Sequence, residues 1–482
     1  MEKITGNDLI SWGYEPAKWF KDALADINSS IEQGSVFDPR RVADEYYEAN
    51  KPDPYLNLQD SESIPISYNI TPENDDEQEN VDKVVETMRQ LVRVPVITAG
   101  AVMPDACPAG TIPVGGVIAS RNAIHPGLHS ADICCSVAVA NLGDVDPKNV
   151  LDRASKIVHF GVGGRDRRNQ FTPSANVIKR MENNRFLKWH LEQAHSHFAT
   201  QGDGNHFLYV GRLKSTGDVC VVTHHGSRNV GSRLYKAGMQ CAENYRVKLC
   251  PEAPKGAAWI PFDTDDGRDY WDALQIVGDW TRESHFKIHQ LIGLPIDDWF
   301  WNEHNFVFNR GNDIFYHAKG ATPGWDAYDR TIVPLNMAEP ILITRGRDAK
   351  NGLGFLPHGA GRNMSRTEHN RRMDVSHSNM TEHDIIREFA PGIDVRFHFN
   401  KPDLSELPNA YKNAAQVREA ITSFGLADIV DEIEPYGSIM SGEQDLPWKN
   451  KNQARRDARR ERKEENRAGR RVSKARLKED MR

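Results

Sequence analysis

With 482 residues, 39% of them hydrophobic and 27% charged, and a mean hydropathy of −0.62, the chain reads as a water-soluble protein able to bury a sizeable core. No apolar run approaches the roughly 20 residues needed to cross a bilayer, and the first twenty residues lack a basic segment followed by an apolar one, so a cytoplasmic protein is expected. Six cysteines over this length do not form a disulfide framework, and adjacent Cys134 and Cys135 are awkward partners for each other. The net charge of −7 hides an asymmetry, because residues 449–482 carry 15 Lys or Arg against 6 Asp or Glu, or +9, leaving −16 on residues 1–448. The acidic body does not advertise a basic face, so a nucleic acid would be held by local arginines or by the tail.

In chain order, Leu9, Ile10, Trp12, Trp19, Phe20, Leu24 and Ile27 recur at helical spacing, with Glu15-Pro16 expected to open the second helix. Residues 50–82 are polar, Pro-bearing and acidic, and read as a linker or wrap-around loop. From Val84 onward, β-rich runs at 94–97, 137–139, 219–222 and 332–335 alternate with helical stretches at 174–199 and 269–291. Residues 414–424 read as a last helix and 429–433 as a last short element. Without a regular βαβ rhythm, this mixture predicts an α+β fold. Three parts are expected: an N-terminal helical extension and acidic linker (1–83), one large α+β domain of mixed sheets and flanking helices (84–447), and a basic tail (448–482), helical or disordered.

The chemistry-bearing motifs are short and dispersed. The run His358-Gly359-Ala360-Gly361-Arg362, continued by Ser365 and Arg366, sets an imidazole among glycines with two guanidinium groups behind it. Glycines let backbone approach a phosphate, and an arginine fork matches phosphate oxygens, so His358 is a candidate nucleophile toward a nucleotide. In 130–136, Asp132 and Cys135 offer a carboxylate and a thiolate three residues apart. Asn205-His206, His224-His225 and Glu303-His304-Asn305 supply imidazoles, and spacing alone does not separate His225 from His224 as a ligand. One thiolate, one carboxylate and three imidazoles suit Mn²⁺, Fe²⁺, Co²⁺ or Zn²⁺ far better than Mg²⁺, and a thiolate can bridge two ions.

Taken together, MPDACPAGTIPVGG (103–116), SADICCSV (130–137), GDGNHF (202–207), HHGSRNVG (224–231), EHN (303–305), HAKGA (317–321), HGAGRNMSR (358–366) and PNAYKN (408–413) resemble the RtcB family of RNA-splicing ligases, in the family's order. The resemblance implies GTP-dependent joining of RNA 2′,3′-cyclic phosphate or 3′-phosphate ends to 5′-hydroxyl ends, in tRNA splicing or RNA repair. His358 would be guanylylated, and an RNA-ppG end would be the activated species. It further implies Asp132, Cys135, His206, His224 and His304 as ligands of Mn²⁺, with Cys135 bridging two ions. Asn205, Asn336, Met337, Ala360, Gly361 and Tyr411 would contact the nucleotide, and Arg228, Arg362 and Arg366 would hold RNA phosphates. An archease-like activator and a monomeric state are expected.

Four short stretches or single positions depart from the family pattern. Cys107 replaces the histidine of MPDxH, Leu335-Asn336-Met337-Ala338 replaces a GSMG loop, Tyr209 replaces a glutamate, and Met440 replaces a C-terminal lysine. Selection for GTP is therefore expected to be weakened or achieved by other contacts. Two rival readings use the same residues: a metal-dependent phosphodiesterase or hydrolase without a covalent nucleotide, and a non-catalytic RNA-binding relative.

Overall fold

The computed structural model describes residues 2–35, 37–50 and 55–445, so the basic tail expected at 448–482 lies outside the described residues. The chain divides into two compact units. One comprises residues 1–57 with 248–251, and the other residues 58–247 with those from 252 onward. The first contains helices Gly6–Ser11, Phe20–Glu32 and Pro39–Asn50, packed around Leu9, Trp19, Ala23, Ile27 and Ala43. Its second helix begins at Phe20 and not at Glu15-Pro16.

In the second unit, a seven-strand path forms a strongly curved antiparallel sheet. Its order is Thr331–Val333, Ile341–Gly346, Ala427–Met440, Phe207–Leu213, Val219–His225, Ser136–Asn141 and Asp298–Glu303, with Asp394–Phe397 added in parallel to Ala427–Met440. The two edge strands are joined by one side chain. Asn302 Nδ2 donates to Arg330 O and Asn302 Oδ1 accepts from Ile332 N, both at 3.1 Å, which nearly closes the sheet into a barrel. Alternation along each strand sorts the residues: Val137, Val139, Cys220, Val222, Ile332, Ile341, Ile343 and Ile433 fill the interior. Val219, Val221, Leu208 and Val210 face outward into a larger core shared with the helices, of which Asp265–Leu291 is the longest. A second, five-stranded sheet runs Ile66–Tyr68, Ile97–Cys107, Val114–Arg121, Ile314–Lys319 and Asn305–Asn309. The fold class is α+β, as expected.

Several local expectations are corrected. The stretch expected as a linker holds strand Ile66–Tyr68 and the start of helix Asp75–Leu91. Asn74 caps that helix by accepting from Glu77 N at 3.0 Å, and Asp75, Asp76 and Glu77 form its first turn, where carboxylates favour the helix dipole. An acidic run was thus a helix start. Residues 94–96 are a turn leading into strand Ile97–Cys107, and 332–335 leave their strand at Val333. The helix expected over 174–199 is two, Ala175–Asn183 and Leu191–Ser196, because Asn184 turns away to donate from Nδ2 to Asp269 O at 2.9 Å. The short last element is a 14-residue strand, Ala427–Met440, bent by a register shift between Pro435 and Gly437 where proline cannot donate to the ladder.

Candidate active site

Strand alternation delivers the first candidate ligands. His224 continues the inward face of Val219–His225 to the barrel mouth, whereas Thr223 and His225 face outward. Cys135 precedes strand Ser136–Asn141 on the same inward side. Left-handed backbone at Cys134 (φ 57°) sends Cys134 into the outer core and leaves Cys135 at the mouth. Cys135 Sγ lies 3.2 Å from His224 Nε2 and 3.6 Å from His206 Nε2. His224 Nε2 is 3.2 Å from His304 Nε2, and His206 Nε2 is 3.2 Å from Asp132 Oδ2. Two groups of three ligand atoms result, Cys135/His224/His304 and Asp132/Cys135/His206, with the thiol common to both. A Cβ on Gly226 would stand 2.2 Å from Asp132 Oδ1, so the glycine after the His224-His225 pair is what admits the carboxylate.

The donor chemistry fits a soft-to-borderline divalent cation. Nδ1–H of His206 donates to Gln201 O at 2.6 Å and Nδ1–H of His224 to Asn205 O at 3.0 Å, which points both Nε2 lone pairs inward. Burial holds His224 neutral, with its pKa lowered to about 3, and lowers His304 well below the usual range. Although desolvation opposes it, the hydrogen bond and charge of His206 bring the Asp132 carboxyl down to about 2. Burial, followed by the Asp132 charge, pushes the Cys135 thiol well up, so cation binding there must displace a proton.

His358 follows the short strand Phe355–Pro357, and its ring centroid is 4.8 Å from that of His304. Its Nδ1 is 2.6 Å from Oδ2 of Asp105, which is fully buried on strand Ile97–Cys107, and this hydrogen bond leaves Nε2 as the lone-pair nitrogen. A Cβ on Gly361 (φ +74°) would come within 2.0 Å of Asp105 O, so glycine is required where the His358 loop crosses that strand. Buried Lys412 adds its charge beside Asp105 and donates to Pro104 O at 3.4 Å.

A cleft of about 400 Å³ unites these pieces. Its lining holds Asp132, Cys135, Asn205, His224, His304, Asn336, Met337, His358, Ala360, Gly361, Arg362, Arg366 and Tyr411. Of the residues expected in the site, His206 stands behind the lining in the ligand cluster. Arg228 is also outside it, donating from Nη2 to Gly161 O at 2.7 Å and adding its charge to Asp132. Arg362 and Arg366 share one buried carboxylate, Glu406, at 3.5 and 2.5 Å, and the Tyr411 hydroxyl donates to it as well. His225 is resolved away from the site, stacked on His285 with centroids 3.5 Å apart.

Asp105, Glu406 and Lys412 are the site residues that sequence reasoning missed. Asp105 and Lys412 lie inside quoted motifs, so a role could have been sought there. Glu406 carries no local signal.

A family model described as tRNA-splicing ligase RtcB matches residues 145–441. The chain belongs to the RtcB family. The matched segment contains His206, His224, His304 and His358, while Asp105, Asp132 and Cys135 precede it. Similar proteins include the tRNA-splicing ligase RtcB of Archaeoglobus fulgidus, 25% identical over 73% of this chain and 90% of the relative. That of Thermococcus kodakarensis is 24% identical over 74% and 90%. The RNA-splicing ligase RtcB homolog 2 of Entamoeba dispar is 23% identical over 73% and 82%. No helix among the described residues is long and apolar enough to cross a membrane.

Proposed function

We propose that this RtcB-family chain is an RNA ligase that joins RNA ends bearing a 2′,3′-cyclic phosphate or 3′-phosphate to 5′-hydroxyl ends, in tRNA splicing or RNA repair, through a nucleotide carried on His358. The observation that carries the reading is the pairing of His358 with buried Asp105 at 2.6 Å beside the Cys135-sharing ligand set. Names borne by the relatives point the same way, and GTP is the donor that the family resemblance implies.

Asp132, Cys135, His206, His224 and His304 would hold the metal, with Mn²⁺ as the expected ion. Bound there, a divalent cation would neutralise phosphate charge and act as a Lewis acid toward phosphorus. Nδ1–H of His358 stays with Asp105, so Nε2 attacks the α-phosphorus; an N–P bond forms and pyrophosphate leaves. Water first opens a cyclic end to a 3′-phosphate. An oxygen of that phosphate then attacks the carried nucleotide, breaking the N–P bond and leaving a pyrophosphate-linked nucleotide on the RNA. A 5′-hydroxyl gives up its proton, attacks the original RNA phosphorus and expels the nucleoside monophosphate. Asp105 stabilises positive charge on the imidazole while it carries the nucleotide. Arg362 and Arg366, fixed by Glu406, supply donors toward phosphoryl oxygens.

The test is a joining assay with an RNA carrying a 2′,3′-cyclic phosphate and a 5′-hydroxyl RNA, with Mn²⁺ and all four nucleoside triphosphates. A joined product retaining the original terminal phosphate at the junction, lost in His358→Ala, is expected. Hydrolysis of the cyclic end without joining would favour the phosphodiesterase reading.

A further inference from the structure

The corner behind His358 holds more buried charge than the hydrogen bond of the nucleophile uses. Asp105 Oδ2 pairs with His358, but Asp105 Oδ1 has no hydrogen-bond partner among the described residues. Lys412 is 4% exposed, and of its three ammonium protons one is spent there, on Pro104 O at 3.4 Å. Glu77, 3% exposed on helix Asp75–Leu91, accepts from Glu73 N through Oε2 at 2.9 Å, and its Oε1 has no partner among the described residues. Burial pulls the Lys412 ammonium below its usual pKa, while the charges of Asp105, Cys107 and Glu77 hold it up. An ammonium with spare donors thus stands in the field of two buried carboxylates, each with an orphan oxygen.

The helix start that carries Glu77 is tied to both segments of this corner. Asn413, next to Lys412, donates from Nδ2 to Glu73 Oε1 at 3.2 Å, and Asn80 donates from Nδ2 to Asn363 O in the His358 loop at 2.9 Å. Lys412 N in turn donates to Gly361 O at 3.0 Å. Neighbouring cations are engaged elsewhere: Lys319 donates to Ala109 O and Ile112 O at 3.0 and 3.1 Å, and Arg362 turns to Glu406. The bond that Glu77 makes to Glu73 N needs an acceptor oxygen and no charge, so helix capping does not account for a buried carboxylate here.

We infer that Glu77 is a positioning residue for nucleotide transfer, which balances the charge of Lys412 so that Asp105 keeps its negative charge for the His358 imidazole; the inference rests on the nucleotide-carrying role proposed above. With a neutral imidazole, the two carboxylates and one ammonium leave this corner one negative charge in excess. Forming the N–P bond at Nε2 while Nδ1 keeps its proton places a positive charge on the ring, and the corner becomes neutral. Without Glu77, Lys412 would cancel Asp105, and the ring charge of the carried nucleotide would lie buried without compensation. At the short range and low effective dielectric of a buried site, one such charge changes the transfer rate on the order of tenfold.

The test is single-turnover transfer of α-phosphate label from GTP to the full-length protein with Mn²⁺, alongside urea unfolding of the same variants. Glu77→Gln keeps an acceptor for Glu73 N and deletes the charge; it should slow labelling about tenfold at saturating nucleotide, with nucleotide affinity within about twofold. Adding Lys412→Met to that variant removes the uncompensated cation and should bring the rate back to within about threefold of wild type. In urea, Lys412→Met alone should lower the midpoint more than the double variant does, because it strands two carboxylates and the double variant strands one. A double variant as slow as Glu77→Gln, a Glu77→Gln rate equal to wild type, or an affinity loss that matches the rate loss overturns the inference while leaving His358 as the carrier. Absence of label from the wild-type protein overturns the carrier role and this inference together.

Discussion

Strand Val219–His225 places two histidine sets back to back, and their contrast shows what turns an imidazole into a chemical group. On the inward face, His224 joins His206, His304 and Cys135, each ring aiming a lone pair at a common space. On the outward face, His225 stacks on His285, and every proton of the neighbouring network is assigned. The Trp299 indole can only donate, and it does so to His289 Nδ1 at 3.0 Å; His289 Nε2–H then donates to Thr223 Oγ1 at 2.9 Å. The Thr223 hydroxyl donates to His285 Nδ1 at 2.7 Å, and His285 Nε2–H reaches Ser136 Oγ at 3.0 Å. That chain consumes its own lone pairs and pins the strands that carry Cys135 and His224. The inward set leaves its lone pairs unspent.

The contrast can be broken most severely at the nucleophile. His358→Ala should lower nucleotidylation and joining by more than about a thousandfold while leaving bound metal unchanged, as read by labelling and by elemental analysis of the same sample. Next, His224→Gln should lower metal stoichiometry and abolish joining, whereas His225→Gln should retain full metal content. Equal metal loss in the two variants would erase the distinction between the faces. Asp105→Asn should reduce nucleotidylation roughly a hundredfold at unchanged nucleotide affinity, because an amide can hold the ring in the wrong tautomer. Removing the outward network by His285→Ala should destabilise the fold by roughly 2–4 kcal/mol in urea unfolding, with metal affinity per folded molecule nearly preserved.

Acid sharpens the same point. Burial lowers His125 and His129 to about 4 and His289 to about 3, below the value of 6.5 each has when exposed. The folded state then binds fewer protons than the unfolded chain, so stability is complete above pH 6.5 and falls as pH drops from there toward 4. Each such histidine removes about 1.4 kcal/mol per pH unit in that window. Urea midpoints at pH 7.5, 6 and 5 should fall accordingly, and a flat series would show these rings to be solvated.

Local signals were readable where neighbours in sequence are neighbours in space. Helix Ala414–Ser423 and the strand runs at 137–139 and 219–222 came through because apolar periodicity reports one buried face. The acidic run at 73–77 misled, since the carboxylates that mark a solvated linker also suit the first turn of a helix. The choice between His224 and His225 could not be made from spacing, because it depends on which face of one strand meets the barrel mouth. Asp105 lies 253 residues from His358, and Glu406 lies 40 and 44 residues from the two arginines it holds. No period connects such pairs; only the fold does.

The most direct test is peptide mapping of the intact protein after incubation with Mn²⁺ and the nucleoside triphosphates, under alkaline conditions that preserve phosphoramidates. A nucleoside monophosphate on the peptide containing His358, released by acid and dependent on added divalent cation, is the predicted result. An adduct on a lysine, or none on His358 in a protein that still joins RNA ends, would contradict the account.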